Sequence, residues 1–394
     1  MTSLIKQKVD QAVAILKELE IDVWLTFVRE TIESYDPALH FIAGTNVVWQ
    51  AAFLISKDGR KIAITGKGDH GNIERLEVYD QVIPYTQSIK PDLLRVLTEL
   101  NPQQIAINYS TDNVSADGLS LGMYKRLCKF LKDTPYLDRL MSADQLLSSL
   151  RGRKTSDELG RIQAAVDETV SLFDLLTENI EIGWTEKQIA EFMHREMRRR
   201  DLQFAWDKDH NPGVDCGADS TSGHLPPGNV PLKPGDVLHL DFGVKKAGYS
   251  ADLQRLWYVL REGETAPPAE VLKAFNTVQL GIQRAAQAIK PGVEGYKIDQ
   301  IARDTLAEHG YPEYLHALGH QVGIWAHDGG GILGPRWERY GARAYAQVEE
   351  SQVYTLEFGI HTAHGYVSQE ENIVITKDGC RFLTEPQQQI WLIN

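Results

Sequence analysis

Five side chains able to ligate a metal follow one another along the second half of the 394-residue chain: Asp241, Asp252, His320, Glu357 and Glu370. Each sits in a segment that otherwise reads as buried strand or glycine-rich turn, where an uncompensated carboxylate is costly. Leu238, Leu240 and Phe242 alternate with His239 and Asp241. The strand therefore turns its apolar side chains to one face and His239 and Asp241 to the other. Gly243 to Ser250 contains Gly248 and reads as a hairpin connection, with Asp252 on the return strand eleven residues after Asp241. Antiparallel strands joined this way bring both carboxylates to one place. By the same parity Glu357 faces away from Leu356 and Phe358, whereas in Glu370-Glu371-Asn372 parity does not choose between the two glutamates. His320 lies in a glycine-flanked bend, His316 to Gly323. Singly, each residue reads as an edge or turn carboxylate or a hydrogen-bonded structural histidine. Together, four carboxylates and an imidazole point to a site for two divalent cations.

The flanking residues carry a family pattern. It runs His239-x-Asp241-Phe242-Gly243, Gly248-Tyr249-Ser250-Ala251-Asp252-Leu253-Gln254-Arg255, then His316-x-x-Gly319-His320-x-x-Gly323-x-x-x-His327-Asp328. Thr355-Leu356-Glu357-Phe358-Gly359 and Glu370-Glu371-Asn372-Ile373-Val374-Ile375-Thr376 complete it. In order and spacing these motifs resemble the pita-bread (M24-type) metallopeptidases, which include methionine aminopeptidase, aminopeptidase P and prolidase. The similarity spans residues 150–385 and is nearest to aminopeptidase P and prolidase, because a separate N-terminal domain precedes the catalytic one.

That resemblance implies a metal site and a reaction. Asp241 would chelate one metal, Asp252 would bridge both, His320 and Glu357 would bind the second, and Glu370 rather than Glu371 would be the bridging glutamate. Hard oxygen ligands with one imidazole suit Mn first, with Co, Fe or Zn as alternatives. A metal-bridging hydroxide would be the nucleophile, since divalent cations lower the pKa of bound water. Glu357 would act as general base and return the proton to the departing nitrogen. His224, in the Ser222–Pro227 loop, and His327, seven residues after His320, would stabilise the oxyanion or shuttle a proton. His316 would join them in binding substrate. The implied activity is cleavage of Xaa-Pro bonds at the N-terminus of short peptides, as a dipeptidase or an aminopeptidase, by a homodimer. The alternatives are a same-fold hydrolase or lyase acting on a non-peptide, creatinase-like substrate, and an inactive binding protein.

The chain also departs from the pattern. Phe358 stands where most members have Pro, Ser368 where many have Arg, and Trp325 where Asp is frequent. The segment Gly329 to Gln347 is long and basic, with Arg336, Arg339 and Arg343, and reads either as a lid or specificity loop or as a solvated surface insertion.

Composition sets the remaining bounds. A formal net charge of −13 argues against nucleic acid as a partner. Three cysteines, Cys128, Cys216 and Cys380, form neither a disulfide framework nor a zinc spacing, which favours a reducing compartment. The first residues lack the apolar core of a secretory signal and no run reaches the length of a membrane span, so a cytoplasmic protein without membrane partners is expected.

The elements that must position the site alternate along the chain. A helix is expected over residues 8–20, strands over 23–28, 51–55 and 61–65 with an Asp58-Gly59 hairpin, a helix over 93–100 and a strand over 104–108. This is a small α/β domain, residues 1–150, resembling the creatinase/prolidase N-terminal domain. Capping boxes Thr155-x-x-Glu158 and Thr185-x-x-Gln188 open two helices, a loop rich in Pro, Gly and Asp covers 207–235, and two more helices fit 268–289 and 296–309. Residues 151–394 are then an α+β catalytic domain with the pita-bread fold.

Overall fold

A computed structural model describes residues 2–220 and 225–394. The chain falls into two compact units, Met1–Arg151 and Gly152–Asn394. In the first, strands β1 (Val23–Val28), β2 (Ala51–Ser56), β3 (Lys61–Gly66), β4 (Gln81–Tyr85), β5 (Ile105–Ile107) and β6 (Leu140–Ser142) form one mixed sheet in the order β4-β3-β2-β1-β5-β6. Helices α1 (Thr2–Glu18), α2 (Leu39–Ile42), α3 (His70–Glu74), α4 (Lys90–Leu100), α5 (Leu121–Leu131) and α6 (Asp144–Gly152) are interspersed among the strands. Every residue of β1 is buried, and Val23, Leu25 and Phe27 share a core with Leu93, Val96 and Leu97 of α4. The β2–β3 turn places Gly59 at φ +97°, a conformation glycine adopts without penalty. Strands β4 and β6, absent from the sequence reading, are the two edges, and Pro84 within β4 is tolerated only there.

The second unit opens with α7 (Ser156–Asn179) and α8 (Glu186–Arg199), each started by a complete capping box on Thr155 or Thr185. Short strand β7 (Gln203–Phe204) precedes β8 (Gly213–Cys216), β9 (Val237–Phe242), β10 (Val244–Lys246), β11 (Tyr249–Ser250) and β12 (Leu253–Val259). Helices α9 (Ala269–Ala288) and α10 (Gly295–Glu308) follow. The chain closes with β13 (Gly319–His320), β14 (Ile332–Leu333), β15 (Val353–Thr362), β16 (Gly365–Ile375), β17 (Cys380–Phe382) and β18 (Trp391–Ile393). The central sheet has the order β15-β16-β12-β9-β8, with β17 added to β16 and β18 to β12. Phe173 of α7 packs edge-on against Phe242 with centroids 5.8 Å apart, so α7 covers the apolar face of β9.

Helix α9 lies against β15 and β16 through Val278, Ile282 and Ala285, which share a core with Leu356, Phe358 and Ile360. Phe358 therefore belongs to the helix-facing side of its strand, opposite Glu357. Its ring fits over Gly281, where an added Cβ would come within 2.2 Å of Cζ. The residue that replaces the family's proline is a core knob that needs a glycine hole. Gly→Ala inside a helix ordinarily stabilises by about 1 kcal/mol. At Gly281 the sign is expected to reverse, with a net loss of about 1–3 kcal/mol from overpacking. Gly160 of α7 has open space around its Cβ position, so Gly160→Ala is the matched control and is expected to stabilise. Thermal unfolding of the two variants checks this; equal gains would contradict the packing described.

Candidate metal centre

The register of the central sheet sets the site. Asp241 on β9 lies opposite Gln254 on β12, Gln254 lies opposite Glu370 on β16, and Glu370 lies opposite Glu357 on β15. Side chains of directly opposed residues share a face, so four neighbouring strands present Asp241, Gln254, Glu370 and Glu357 in one row. Asp252 immediately precedes β12 and shares the parity of Gln254. Its place is fixed by an amide clamp: its N–H donates to Asn372 Oδ1 at 3.1 Å and its carbonyl accepts from Asn372 Nδ2 at 2.8 Å. The Ala247-Gly248 turn, both residues at positive φ, closes the β10–β11 hairpin between the two aspartates.

Register also separates the paired glutamates. Glu370 joins the row, whereas Glu371 points the other way and meets Arg255 in a fully buried two-pronged ion pair with contacts of 3.0 and 3.1 Å. Arg255, next to Gln254, is 3% exposed.

His320 reaches the row from a separate two-stranded piece. Its N–H donates to Thr355 Oγ1 at 3.0 Å, and the Glu357 N–H donates to the Leu318 carbonyl at 2.7 Å. Gly319 is required for this approach, since a Cβ there would stand 2.0 Å from the Thr355 carbonyl oxygen. The imidazole Nε2 lies 3.4 Å from Glu357 Oε1 and 3.8 Å from Asp252 Oδ2. Burial pushes the His320 pKa down to about 4, with the Arg343 charge acting in the same direction. The ring is therefore neutral near pH 7 and keeps a lone pair for coordination.

Ligand atoms fall into three interlocking groups, each with all its members within 4.8 Å of one another: Asp241, Asp252 and Glu370; His320, Glu357 and Glu370; and Asp252, His320 and His327. Glu370 and Asp252 each belong to two of them. Burial raises both Asp252 and Glu370 well above ordinary carboxylate values, and the neighbouring carboxylates raise them further. Glu370 Oε1 is buried without a hydrogen-bond partner among the described residues. A carboxylate set of this density, one orphaned oxygen and a neutral imidazole fit hard or borderline divalent cations.

The other expected residues divide. His327 is exposed at the rim, its ring centroid 4.0 Å from that of His320. His316 is exposed, belongs to none of the three groups, and lies against Tyr314 at 5.5 Å. His224 lies outside the described residues. The chain on either side of it is anchored by Glu186, which accepts from Ser220 Oγ and from the N–H groups of Cys216 and Gly228. Trp325 covers the Lys245 ammonium at 3.3 Å, and burial pushes that lysine down to about 8. The 329–347 segment is stitched to the site: β14 pairs with β13, and Ala344 packs with Ala317 and Ile332 in a small core of its own. Gln254 and Asn372 were not singled out by sequence reading. Strand parity with Asp252 and Glu370 was the available signal for both.

Residues 160–377, more than half of the chain, match the model of metallopeptidase family M24, and the chain belongs to that family. It is accordingly a peptidase, and the family implies divalent metal ions. An uncharacterised peptidase of Staphylococcus aureus (strain MW2) is 25% identical over 335 residues, covering 84% of this chain and 87% of the relative. The fold is that of an X-Pro aminopeptidase from Thermotoga maritima MSB8 (24% identity, TM-score 0.72, 98% of this chain and 99% of that one). It is equally that of a Xaa-Pro dipeptidase from Bacillus anthracis (22% identity, TM-score 0.75, 99% and 100%).

The raised carboxylates have a consequence for stability. Their contribution to folding is fully present below the ordinary values of 3.8 and 4.5 and is lost as pH rises through the raised ones. A bound cation removes that loss, because it takes the deprotonated ligands. The gain in thermal midpoint on adding Mn²⁺ to chelator-treated protein is therefore expected to be larger at about pH 8 than at about pH 5. A gain independent of pH would contradict the site's electrostatics.

Proposed function

We propose that the chain is a dinuclear metallopeptidase that cleaves the Xaa-Pro bond at the N-terminus of short peptides. The observation that carries this reading is the interlocking of the ligand groups: Glu370 is shared between the Asp241 set and the His320–Glu357 set, and Asp252 between the Asp241 set and the His320–His327 set. Asp241 would hold one cation and His320 and Glu357 the other, with Asp252 and Glu370 contributing to both. The cations, with Mn²⁺ ahead of Co, Fe and Zn, would supply Lewis acidity and a water of lowered pKa at neutral pH.

The remaining steps belong to side chains. Glu357 takes the proton of the attacking water and passes it to the departing nitrogen. The Xaa-Pro bond has no N–H and a ring-constrained geometry, so that proton delivery decides whether the bond breaks. His327 at the rim and His224 steady the oxyanion, and His316 contacts the peptide. Residues 1–150 form the creatinase/prolidase-like domain and residues 151–394 the catalytic one. The specificity is supported by the proline-directed names of the two solved structures that share the fold over nearly the whole chain. A cytoplasmic homodimer completes the reading, in keeping with three free cysteines.

The test is a mass-spectrometric panel of Xaa-Pro dipeptides, Xaa-Pro-Yaa tripeptides and proline-free controls, incubated with Mn-loaded protein. Cleavage confined to Xaa-Pro bonds is expected, with Asp252→Asn losing at least about 100-fold in kcat/KM while remaining folded. The length preference separates dipeptidase from aminopeptidase. Efficient cleavage of the proline-free controls, or none of any peptide, would overturn the specificity.

A further inference from the structure

Alongside the carboxylates, on the same face of the sheet, runs a chain of buried polar side chains that the proposed reaction leaves unused. Asp215 Oδ2 is 2.9 Å from His239 Nδ1, and His239 Nε2 is 2.9 Å from Gln254 Oε1. Ser368 Oγ donates to the same Oε1 and lies 3.1 Å from the Phe358 carbonyl. On the other side of its amide, Gln254 Nε2 donates to Glu357 Oε2 at 3.2 Å. His239, Gln254 and Ser368 are 4%, 5% and 1% exposed. The Tyr366 ring stands edge-on to His239 at 5.2 Å.

The chemistry of the partners orients the amide. A carboxylate accepts hydrogen bonds and donates none, so the nitrogen end must face Glu357. The oxygen end then accepts from the serine hydroxyl and from the histidine N–H. This divides the labour of the two Glu357 oxygens. Oε2 is held by Gln254, and Oε1 is left facing His320 Nε2 at 3.4 Å. Gln254 is also the register partner of both Asp241 and Glu370. Ser368 takes part through a hydroxyl where the family pattern led to an expected arginine, and a longer side chain there would meet Gln254.

We propose that Gln254 is the positioning residue of the metal centre. Gripped on its oxygen by Ser368 and by the Asp215–His239 pair, it fixes the Glu357 carboxylate and sets the affinity for the cation that Glu357 and His320 hold. The proposal rests on the metal reading above, and its test keeps the two apart.

Mn²⁺ binding is followed by calorimetric titration of the full chain as wild type, Gln254→Met, Ser368→Ala and the double variant, with circular dichroism confirming the fold. Wild type taking up fewer than two ions overturns the metal reading and this inference with it. With two ions in wild type, Gln254→Met is expected to weaken one of them by ~10–100-fold and to leave the other within about threefold, the usual scale for partners behind metal ligands. Ser368→Ala is expected to weaken the same ion by a smaller factor, and that factor is expected to vanish in the Gln254→Met background, because the link is already cut. Raising Mn²⁺ is expected to restore much of the kcat lost by Gln254→Met on an Xaa-Pro peptide, with the circular dichroism unchanged over the same range of Mn²⁺. Wild-type affinity for both ions in Gln254→Met, or equal weakening of both, overturns the inference alone. Should Gln254→Met not fold, Ser368→Ala decides it: unchanged affinity for both ions overturns it, and selective weakening of one supports it.

Discussion

Like-charge repulsion in a desolvated row is the constraint on which the rest of the catalytic unit depends. Two carboxylates about 4 Å apart repel by about 4 kcal/mol at an effective dielectric of 20. A cross-strand side-chain pair contributes only about 0.2–1 kcal/mol. Sheet pairing alone therefore does not hold Asp241, Asp252, Glu357 and Glu370 together in ionised form. Either protons or cations must enter, and the raised Asp252 and Glu370 show the first response while the neutral His320 is ready for the second. The fold exists to keep this unfavourable row in place until a cation makes it favourable.

Its supports are spread over both faces of the sheet. On the face away from the row, Arg255 and Glu371 lock β12 to β16 through a buried pair, whose strength lies in the cost of removing either partner. Asn372 clamps Asp252 by backbone contacts that are indifferent to charge. Phe358 seats β15 on α9, so the strand that carries Glu357 cannot rotate without emptying the core. The stitch of Gly319 and His320 onto Thr355 brings the imidazole in from outside the sheet.

Much of this was legible from residue types and spacing, for definable reasons. A strand has a period of two, so Asp241 and Glu357 could be separated from their apolar neighbours by parity alone. The same parity was silent on Glu370 against Glu371, because the choice depends on which strand lies opposite, a property of register between distant segments. Gln254 escaped notice because an amide carries no charge and draws no suspicion in a buried strand. Phe358 stood out as a departure near the site, yet its side chain answers to Gly281 on the opposite face. The 329–347 segment gave no periodic signal, since its order comes from a two-residue pairing and a small core of three alanine and isoleucine side chains. The edge strand β4 is interrupted by Pro84, and β6 is three half-buried residues without the apolar run that marks β5.

The proposed metal centre holds two cations with Asp252 and Glu370 between them. Anomalous diffraction at the manganese edge, from crystals grown with Mn²⁺, measures this most directly. Two peaks are expected on the face of the row, one touched by Asp241 and the other by His320 and Glu357, with Asp252 and Glu370 touching both. A single peak, or two that share neither residue, would contradict it.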